Sequence, residues 1–172
     1  MKKEMIFFQN EGFEITVVND RFFWTKRKGR NALLLKFVDF YFLKEVDFID
    51  VQAIHSFHER SIKTANQDFK LPRSLRLTIP NVNSVLITSN EPSKGVIEYV
   101  QKRNKSILGG QQDTVFLIDK EVARLYSPGL DITTIHGEAK VLWGDQKEFK
   151  KLNGHNRAYY FINAMIHNLY VS

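Results

Sequence analysis

The sequence predicts an α+β protein: a strand-rich first hundred residues followed by hairpins and a terminal amphipathic helix. Strand alternation appears first at Phe13, Ile15 and Val17, which are separated by polar residues. Hydrophobic residues make up 43% of the 172, enough apolar surface for a buried core. The end of the chain carries apolar residues at spacings of three and four, as a one-sided helix requires: Ala158, Phe161, Ile162, Met165, Ile166 and Leu169.

Consecutive strands are expected from residue 13 to residue 60. Asn19-Asp20 predicts a hairpin turn, because both residue types tolerate positive φ. The return strand covers 21–26, and the polar, glycine-containing segment 27–31 is predicted to be a loop. The segment 32–44 follows as one long strand or two short ones.

The segment 49–60 fits two interpretations. A strand explains the alternation of Ile49, Val51 and Ala53, whereas a helix explains an apolar stripe that includes Ile54, with Asp50 as its N-cap. The strand is the preferred interpretation, and the helix stays open as the alternative.

A hairpin followed by a helix is predicted next. The strands 74–79 and 82–88 are separated by Pro80-Asn81, and the helix begins near Pro92. The polar segment 102–113 is the predicted boundary between a unit at 11–103 and an extension at 104–172, packed on the first unit. In the extension we expect two further hairpins before the terminal helix: 114–118 with 122–126, and 130–135 with 139–143.

This order of elements resembles a bacterial pleckstrin-homology-like domain over residues 11–103. Two phrases carry the likeness: the run 48–57 (FIDVQAIHSF) and the step from Leu75-Arg76-Leu77 through 85–92 into the helix. The resemblance implies an antiparallel barrel or strongly bent sheet capped by a helix. A C-terminal β-hairpin and amphipathic-helix extension would be added to it. In pleckstrin-homology domains that bind phosphoinositides, the basic residues lie in the loop after the first strand, and the resemblance implies Lys26, Lys28 and Arg30 as the matching positions, although the predicted strands place this loop after the second strand. Fold analogy alone implies no function.

Composition excludes several classes of chemistry. The chain has no cysteine, so disulfides, thiolate catalysis and cysteine-ligated zinc or iron–sulfur clusters are ruled out. The first ten residues hold an apolar run of four, too short for a signal-peptide core, and no segment approaches the roughly 20 apolar residues that span a bilayer. A cytoplasmic location is the expected default.

The most distinctive local feature is the basic segment that follows Phe22-Phe23-Trp24. Its cations lie within five residues, and the predicted anion-binding set is Lys26, Arg27, Lys28 and Arg30, with Trp24 as an aromatic contact. Clustered ammonium and guanidinium groups can bind phosphate or carboxylate oxygens. The opposing interpretation is a solvated hairpin tip whose charges protect a sheet edge and aid solubility.

No coherent catalytic or metal-binding set emerges. His55 and His58 would point to opposite faces of a strand, and on a helix they lack the spacing of zinc hydrolases. Gly109-Gly110 lacks the following Lys-Ser or Lys-Thr of a phosphate-binding loop. We therefore predict no catalytic residues, no metal and no cofactor.

The preferred function is a non-catalytic binding or adaptor module for a protein partner or an anionic surface, such as acidic lipid. The net charge of +6 favours anionic partners. One alternative is a nucleic-acid-binding protein that uses residues 22–30 for phosphate contacts and base stacking. Another is an enzyme with an unrecognised pocket, using His55, His58 or His136. A homodimer through the terminal helix is the rival to its packing in the core.

Overall fold

The computed structural model describes residues 1–32, 35–69, 78–102, 106–108, 111–128 and 154–171. In chain order the helices and strands are α1 (Lys2–Asn10), β1 (Glu14–Asn19), β2 (Phe22–Ala32), β3 (Leu35–Val46), α2 (Val51–Gln67), β4 (Thr78–Thr88), α3 (Lys94–Lys102), β5 (Ser106–Leu108), β6 (Gln111–Asp119), β7 (Arg124–Tyr126) and α4 (Gly154–Tyr170). The α+β class is confirmed. The helix α1 was not predicted.

One mixed sheet organises the described residues, in the order β1-β2-β3-β4-β6 with β5 and β7 both against the outer side of β6. The pairs β3–β4 and β4–β6 are parallel, and the other pairs are antiparallel. Parallel neighbours need a crossover connection, which α2 supplies before β4 and α3 before β6. The sheet is open across the described residues, so the expected closed antiparallel barrel is not the architecture observed.

The preferred strand at 49–60 is wrong, because this segment belongs to the helix α2. The Asp50 carboxylate accepts a hydrogen bond from the Ala53 backbone N–H at 2.6 Å, which caps the first turn. The buried residues follow helical spacing: Ile54, Phe57, His58, Ser61 and Ala65. Residues of this segment thus fit both the alternation of a strand and one face of a helix. Burial of that helical face against the sheet favours the helix.

The prediction of a hairpin at 74–88 is also wrong, because the chain does not turn at Pro80-Asn81. Thr78–Thr88 is a single strand that runs through Pro80-Asn81 and lies parallel to both neighbours. Residues 80–88 are all buried. Pro80 and Asn81 are therefore buried residues within a strand that is covered on both faces, and they do not form the turn on which the hairpin prediction relied. Residues 74–77 lie outside the described residues.

Helices cover both faces of the sheet. On the first face, α1 and α4 pack an aromatic core in which Phe8, Phe13, Tyr41 and Phe161 make ring contacts with centroids 5.1–5.5 Å apart. On the second face, α2 and α3 cover aliphatic and aromatic residues of β3, β4 and β6. We call these the α4 face and the α2 face.

The terminal helix α4 is present as predicted, and its apolar stripe is part of the core. Five residues of the stripe are buried: Ala158, Phe161, Ile162, Met165 and Ile166. Burial inside the chain removes this stripe from the surface that a dimer through α4 would use.

Candidate functional site

The predicted anion-binding residues lie on the strand β2, since 27–31 continues the strand instead of forming a loop. Successive residues of a strand point to opposite faces of the sheet. Trp24, Lys26 and Lys28 therefore share the α2 face, and Arg27 points to the α4 face. The side chain of Arg30 lies outside the description, although its backbone is part of β2. The predicted four-cation clamp is thus divided between two faces.

Two of these cations are held by the chain's own groups. The Lys26 ammonium lies 3.1 Å from both carboxylate oxygens of Asp68, at the end of α2, and 3.7 Å from Glu14. The Arg27 guanidinium donates to the Glu11 carbonyl at 2.7 Å and lies 4.1 Å from the centre of the Phe13 ring. Both interactions tie β2 to neighbouring elements.

Two lysines on the α2 face are exposed and close to each other. Lys28 is opposite Val38 in the β2–β3 pairing, and Lys36 precedes Val38 by two residues on the same face. Diagonal neighbours in a regular ladder are about 7–8 Å apart. Here a register shift separates the Lys28–Val38 pair from the Asn31–Lys36 pair. Within the described part of the chain, neither Lys28 nor Lys36 forms an ion pair. Together with Lys26 they form what we call the basic strip.

Trp24 lies on the same face as the basic strip, and its half-buried ring packs against the core. Its ring stacks on Phe42, with centroids 5.8 Å apart and planes 22° apart, and its centroid lies 6.2 Å from that of the Phe40 ring. The neighbouring Phe23 is 1% exposed. Phe23 is therefore buried, whereas Phe22 and Trp24 are half-buried against the core, and stacking on a base would compete with their packing.

A second group of functional-type residues, which sequence reasoning missed, lies buried between the sheet and α4. The Asp39 carboxylate accepts hydrogen bonds from Arg157 and Asn81, each at 2.7 Å. Burial opposes the charge of Arg157, yet the adjacent Asp39 carboxylate outweighs it and raises the pKa of the guanidinium. Burial also raises the pKa of the Tyr41 hydroxyl well above its ordinary value. The arrangement is a desolvated ion pair between β3 and α4.

A buried histidine occupies the corresponding place on the α2 face. His58 Nδ1 lies 2.8 Å from Ser84 Oγ, and His58 Nε2 lies 2.6 Å from Asp113 Oδ2. His58 and Ser84 are completely buried. This chain of hydrogen bonds connects α2 to β4 and β6.

The strand β6 links the two faces. Asp113 and Thr114 are adjacent and point to opposite sides, so that Thr114 Oγ1 lies 3.2 Å from Nδ1 of a second buried histidine, His155. The His155 ring is stacked on Phe116, with planes 7° apart. We call these groups the buried polar cluster, with the members Asp39, Asn81, Arg157, His58, Ser84, Asp113, Thr114 and His155.

The serine–histidine–carboxylate order invites a nucleophilic interpretation, which burial opposes. Such a chain activates a hydroxyl when a substrate can reach it. Ser84 lies in the central strand, and its exposed fraction is 0%. Its hydrogen bond therefore positions α2 instead of presenting a nucleophile to a substrate.

The histidines considered from the sequence are not brought together. His55 is exposed and His58 is buried, although they are three residues apart in α2, and His136 lies outside the described residues. No three His, Asp or Glu groups are placed to hold a metal ion in the described ranges. In those same ranges, no helix has the length and apolar character to cross a bilayer.

An open groove of about 620 Å³ lies away from the basic strip. Residues 19–22 and 44–48 line it, at the β1–β2 turn and the end of β3. Lys28 is near the other end of β2, so the predicted cations do not border this groove.

The polar cluster has a weak signal in the sequence. Asn81, Asn83 and Ser84 interrupt an otherwise apolar run, and Asp39 stands inside the run Val38 to Leu43. Polar residues at intended core positions are often functional or specify structure. Their partners, however, are distant in sequence: Asp39 and Arg157 are separated by 118 residues.

Comparisons with known proteins add no family to this description: no protein-family model matches the chain, and no curated protein or solved structure is significantly similar to it. The functional argument therefore depends on the chain's own residues and their geometry.

Proposed function

We propose that this protein is a non-catalytic binding module that recognises an anionic surface, on a partner protein or an acidic membrane, through the basic strip. The observation that carries the proposal is the exposed pair Lys28 and Lys36, adjacent on the α2 face without an ion pair among the described residues.

The geometry suits surface recognition better than enclosure of a small ligand. Lys28 and Lys36 lie on neighbouring strands of one exposed sheet face, which presents both ammonium groups to the same side. Asp68 and Glu14 partly neutralise the charge of Lys26, so most of the net positive charge of the basic strip comes from Lys28 and Lys36. Adjacent lysines on a surface attract anionic partners through a field that salt screens.

The resemblance of residues 11–103 to a pleckstrin-homology-like domain stays a prediction. The proposed function does not depend on it, because the basic strip is produced by the pairing of β2 with β3 in an open sheet. The division of the chain into units at 11–103 and 104–172 and the expected location in the cytoplasm likewise stay predictions.

The proposal is tested by the double substitution Lys28→Ala/Lys36→Ala and by capture on vesicles of phosphatidylserine mixed with phosphatidylcholine. A lysine near an acidic surface contributes about 1 kcal/mol, so the double variant should bind roughly thirtyfold more weakly. Neutral vesicles of phosphatidylcholine alone should capture neither protein.

The matched control is Lys2→Ala/Lys94→Ala, which removes the same charge from α1 and α3. It should bind almost as well as the unchanged protein. Equal losses in both double variants would show that net charge, not the basic strip, governs the attraction. Protein that is captured by none of these vesicles but binds an acidic polypeptide through Lys28 and Lys36 would direct the same strip to a protein partner.

The nucleic-acid alternative is less well supported. Base stacking needs accessible rings, whereas Phe23 is buried and Trp24 stacks on Phe42. Single-stranded oligonucleotides belong in the same titration as a competitor. Tight binding of an oligonucleotide that survives Lys28→Ala/Lys36→Ala would contradict the proposed role of the strip.

A further inference from the structure

The ion pair between Lys26 and Asp68 joins the basic strip to the end of α2 at a place that solvent reaches. The Lys26 ammonium lies 3.1 Å from each carboxylate oxygen of Asp68, and the two side chains are 32% and 28% exposed. Groups exposed to this extent are open to ions and charged surfaces in solution. An anion that approaches the basic strip can therefore reach Lys26, but it must compete with Asp68 for the ammonium group.

The helix α2 does not favour a carboxylate at this position. Asp68 is the C-cap of α2, and the last turn of the helix contains no basic residue. The C-terminal end of a helix carries partial negative charge, so a cation is the group that stabilises it. Lys26 supplies that cation from the strand β2. Asp68 thus departs from a local rule of helix stability, and such departures occur at functional sites.

Packing on both sides of Asp68 holds its backbone beside Lys26. Ala65, three residues earlier, is completely buried, and the ring of Phe69 packs edge-on against Phe40, with centroids 5.9 Å apart. Phe40 is directly opposite Lys26 in the β2–β3 pairing. A carboxylate placed in this way competes with an outside ligand at a high effective concentration.

Lys26 is also placed to contribute to binding when Asp68 does not occupy it. Lys26 and Lys28 are two residues apart on one strand, which puts their Cα atoms about 7 Å apart and their side chains on the same face. Lys28 is exposed. An anionic surface that contacts Lys28 therefore lies within reach of Lys26.

We infer that Asp68 is an autoinhibitory residue of the basic strip: its carboxylate occupies Lys26 and lowers the affinity of the strip for an acidic surface. The inference rests on the proposed function, because it concerns the regulation of the same site. The surface gains the contact with Lys26 only by displacing Asp68, so the attraction from one of the three lysines is largely lost. Removal of the charge of Asp68 should therefore strengthen binding.

Glu14 contacts the same lysine more weakly. Its carboxylate lies 3.7 Å from the Lys26 ammonium, from the directly opposite position of β1, and its side chain is 77% exposed. Exposed ion pairs at that distance contribute little. Glu14→Gln should therefore strengthen binding less than Asp68→Asn does.

The test measures capture by vesicles of phosphatidylserine mixed with phosphatidylcholine. Asp68→Asn should bind roughly fivefold more tightly than the unchanged protein, which is the effect of one additional lysine near an acidic surface. The matched control, Asp20→Asn, makes the same change of charge at an exposed residue of the β1–β2 turn, at the other end of β2, and should change the affinity about twofold or less. Asp68→Asn/Lys26→Ala removes both members of the pair and should bind about as tightly as the unchanged protein. Circular dichroism verifies that each variant is folded.

Four results would contradict the inference. Equal gains in Asp68→Asn and Asp20→Asn would assign the effect to net charge. A gain that persists in Asp68→Asn/Lys26→Ala would show that it does not act through Lys26. If Lys28→Ala/Lys36→Ala weakens capture but Asp68→Asn leaves it unchanged, the inference fails and the proposed function stands. If acidic vesicles capture no variant, Asp68→Asn included, the inference fails, and the proposed function then depends on the acidic polypeptide alone.

Discussion

The two halves of the parallel strands β3, β4 and β6 are built from different chemistry. In the carboxyl-terminal half, Leu43, Val85, Ile87 and Ile118 pack against α1 and α4 as an apolar core. In the amino-terminal half, buried polar side chains bond across elements, with Asp39 bound to Arg157 in α4. At the carboxyl-terminal ends of β4 and β6, the described hydrogen bonds of the Thr88 and Asp119 side chains lie within their own turns, and the partly exposed Glu45 of β3 pairs with Lys120. In the carboxyl-terminal half of these strands, the buried side chains need only neighbours of suitable volume. In the amino-terminal half, the buried polar side chains need particular hydrogen-bond partners.

The difference shows how a sheet can combine stability with a defined docking of its helices. An apolar side chain accepts any neighbour of the right volume, whereas a buried carboxylate accepts only a donor in the right place. Asp39 receives such a donor from α4, and Asp113 receives His58 from α2. We infer that the amino-terminal half sets the position of both helices.

The largest expected effect comes from breaking the buried ion pair. Asp39→Ala leaves Arg157 charged and desolvated, and should lower the free energy of unfolding by about 3–5 kcal/mol. The double substitution Asp39→Leu/Arg157→Met removes both charges and should be more stable than either single variant. Urea denaturation of the four proteins measures the cycle.

The matched experiment in the apolar half uses Val85→Ala, which should cost about 1–3 kcal/mol through lost packing. No second substitution in that half should rescue it as the double variant rescues Asp39→Ala. Additive losses from Asp39 and Arg157 would contradict the contrast between the two halves.

A smaller effect, of opposite sign, is expected at Thr25. This residue is opposite Tyr41 on the α4 face, and its hydroxyl is completely buried without a hydrogen-bond partner among the described atoms. Thr25→Val removes the unsatisfied group while keeping the shape, and should stabilise the protein by about 1 kcal/mol. Thermal unfolding compares the two proteins, with Thr25→Ser as the control that keeps the hydroxyl. A clear loss of stability in Thr25→Val would show that the hydroxyl has a partner.

The smallest effect concerns the half-exposed ion pair between Glu45 and Lys120, at the carboxyl-terminal end of the sheet. The hydrogen bond from Lys120 is the main cause that lowers the pKa of Glu45, against the opposing effect of burial. A lowered pKa in the folded state stabilises the protein above the unfolded value, about 4.3 for Glu. Lys120→Met should therefore cost about 1 kcal/mol or less near neutral pH.

The pH dependence identifies the cause of that loss. As the pH falls below about 4.3 and through the lowered pKa of Glu45, the ion pair disappears from the unchanged protein as well. The difference between the two proteins in free energy of unfolding should then shrink. A difference that is constant from neutral to acidic pH would assign it to lost packing of the lysine stem.

Several elements of the fold could be predicted because neighbouring residues alone determine them. A turn near the predicted Asn19-Asp20 is present, but it lies one residue later, at Asp20-Arg21, because Asn19 pairs with Phe22, and neither Asn19 nor Asp20 has the expected positive φ. The helix after Pro92 and the pair formed by β6 and β7 are confirmed. The terminal helix follows its predicted stripe. In each case neighbouring residues alone decide the structure, through turn chemistry or through a single periodicity.

The candidate sites were less predictable. The cations at 26–30 were visible, yet only the formation of a strand separated Arg27 from Lys26 and Lys28. Lys36 was not considered, because its place beside Lys28 follows from the pairing of β2 with β3. The hairpin prediction at 74–88 was wrong for a related reason. The strand β4 is buried on both faces, and its own residues do not indicate that it runs parallel to its neighbours.

The amino-acid sequence by itself determined the α+β class, the charge, the absence of thiol chemistry and the elements whose periodicity is local. Only the tertiary structure decided that β4 runs parallel to β3, that α2 is a helix, and that Asp39 meets Arg157. The physical reason is range. Periodicity and turn chemistry act over a few residues, whereas strand direction and buried polar pairing depend on groups that meet only when distant segments are packed together.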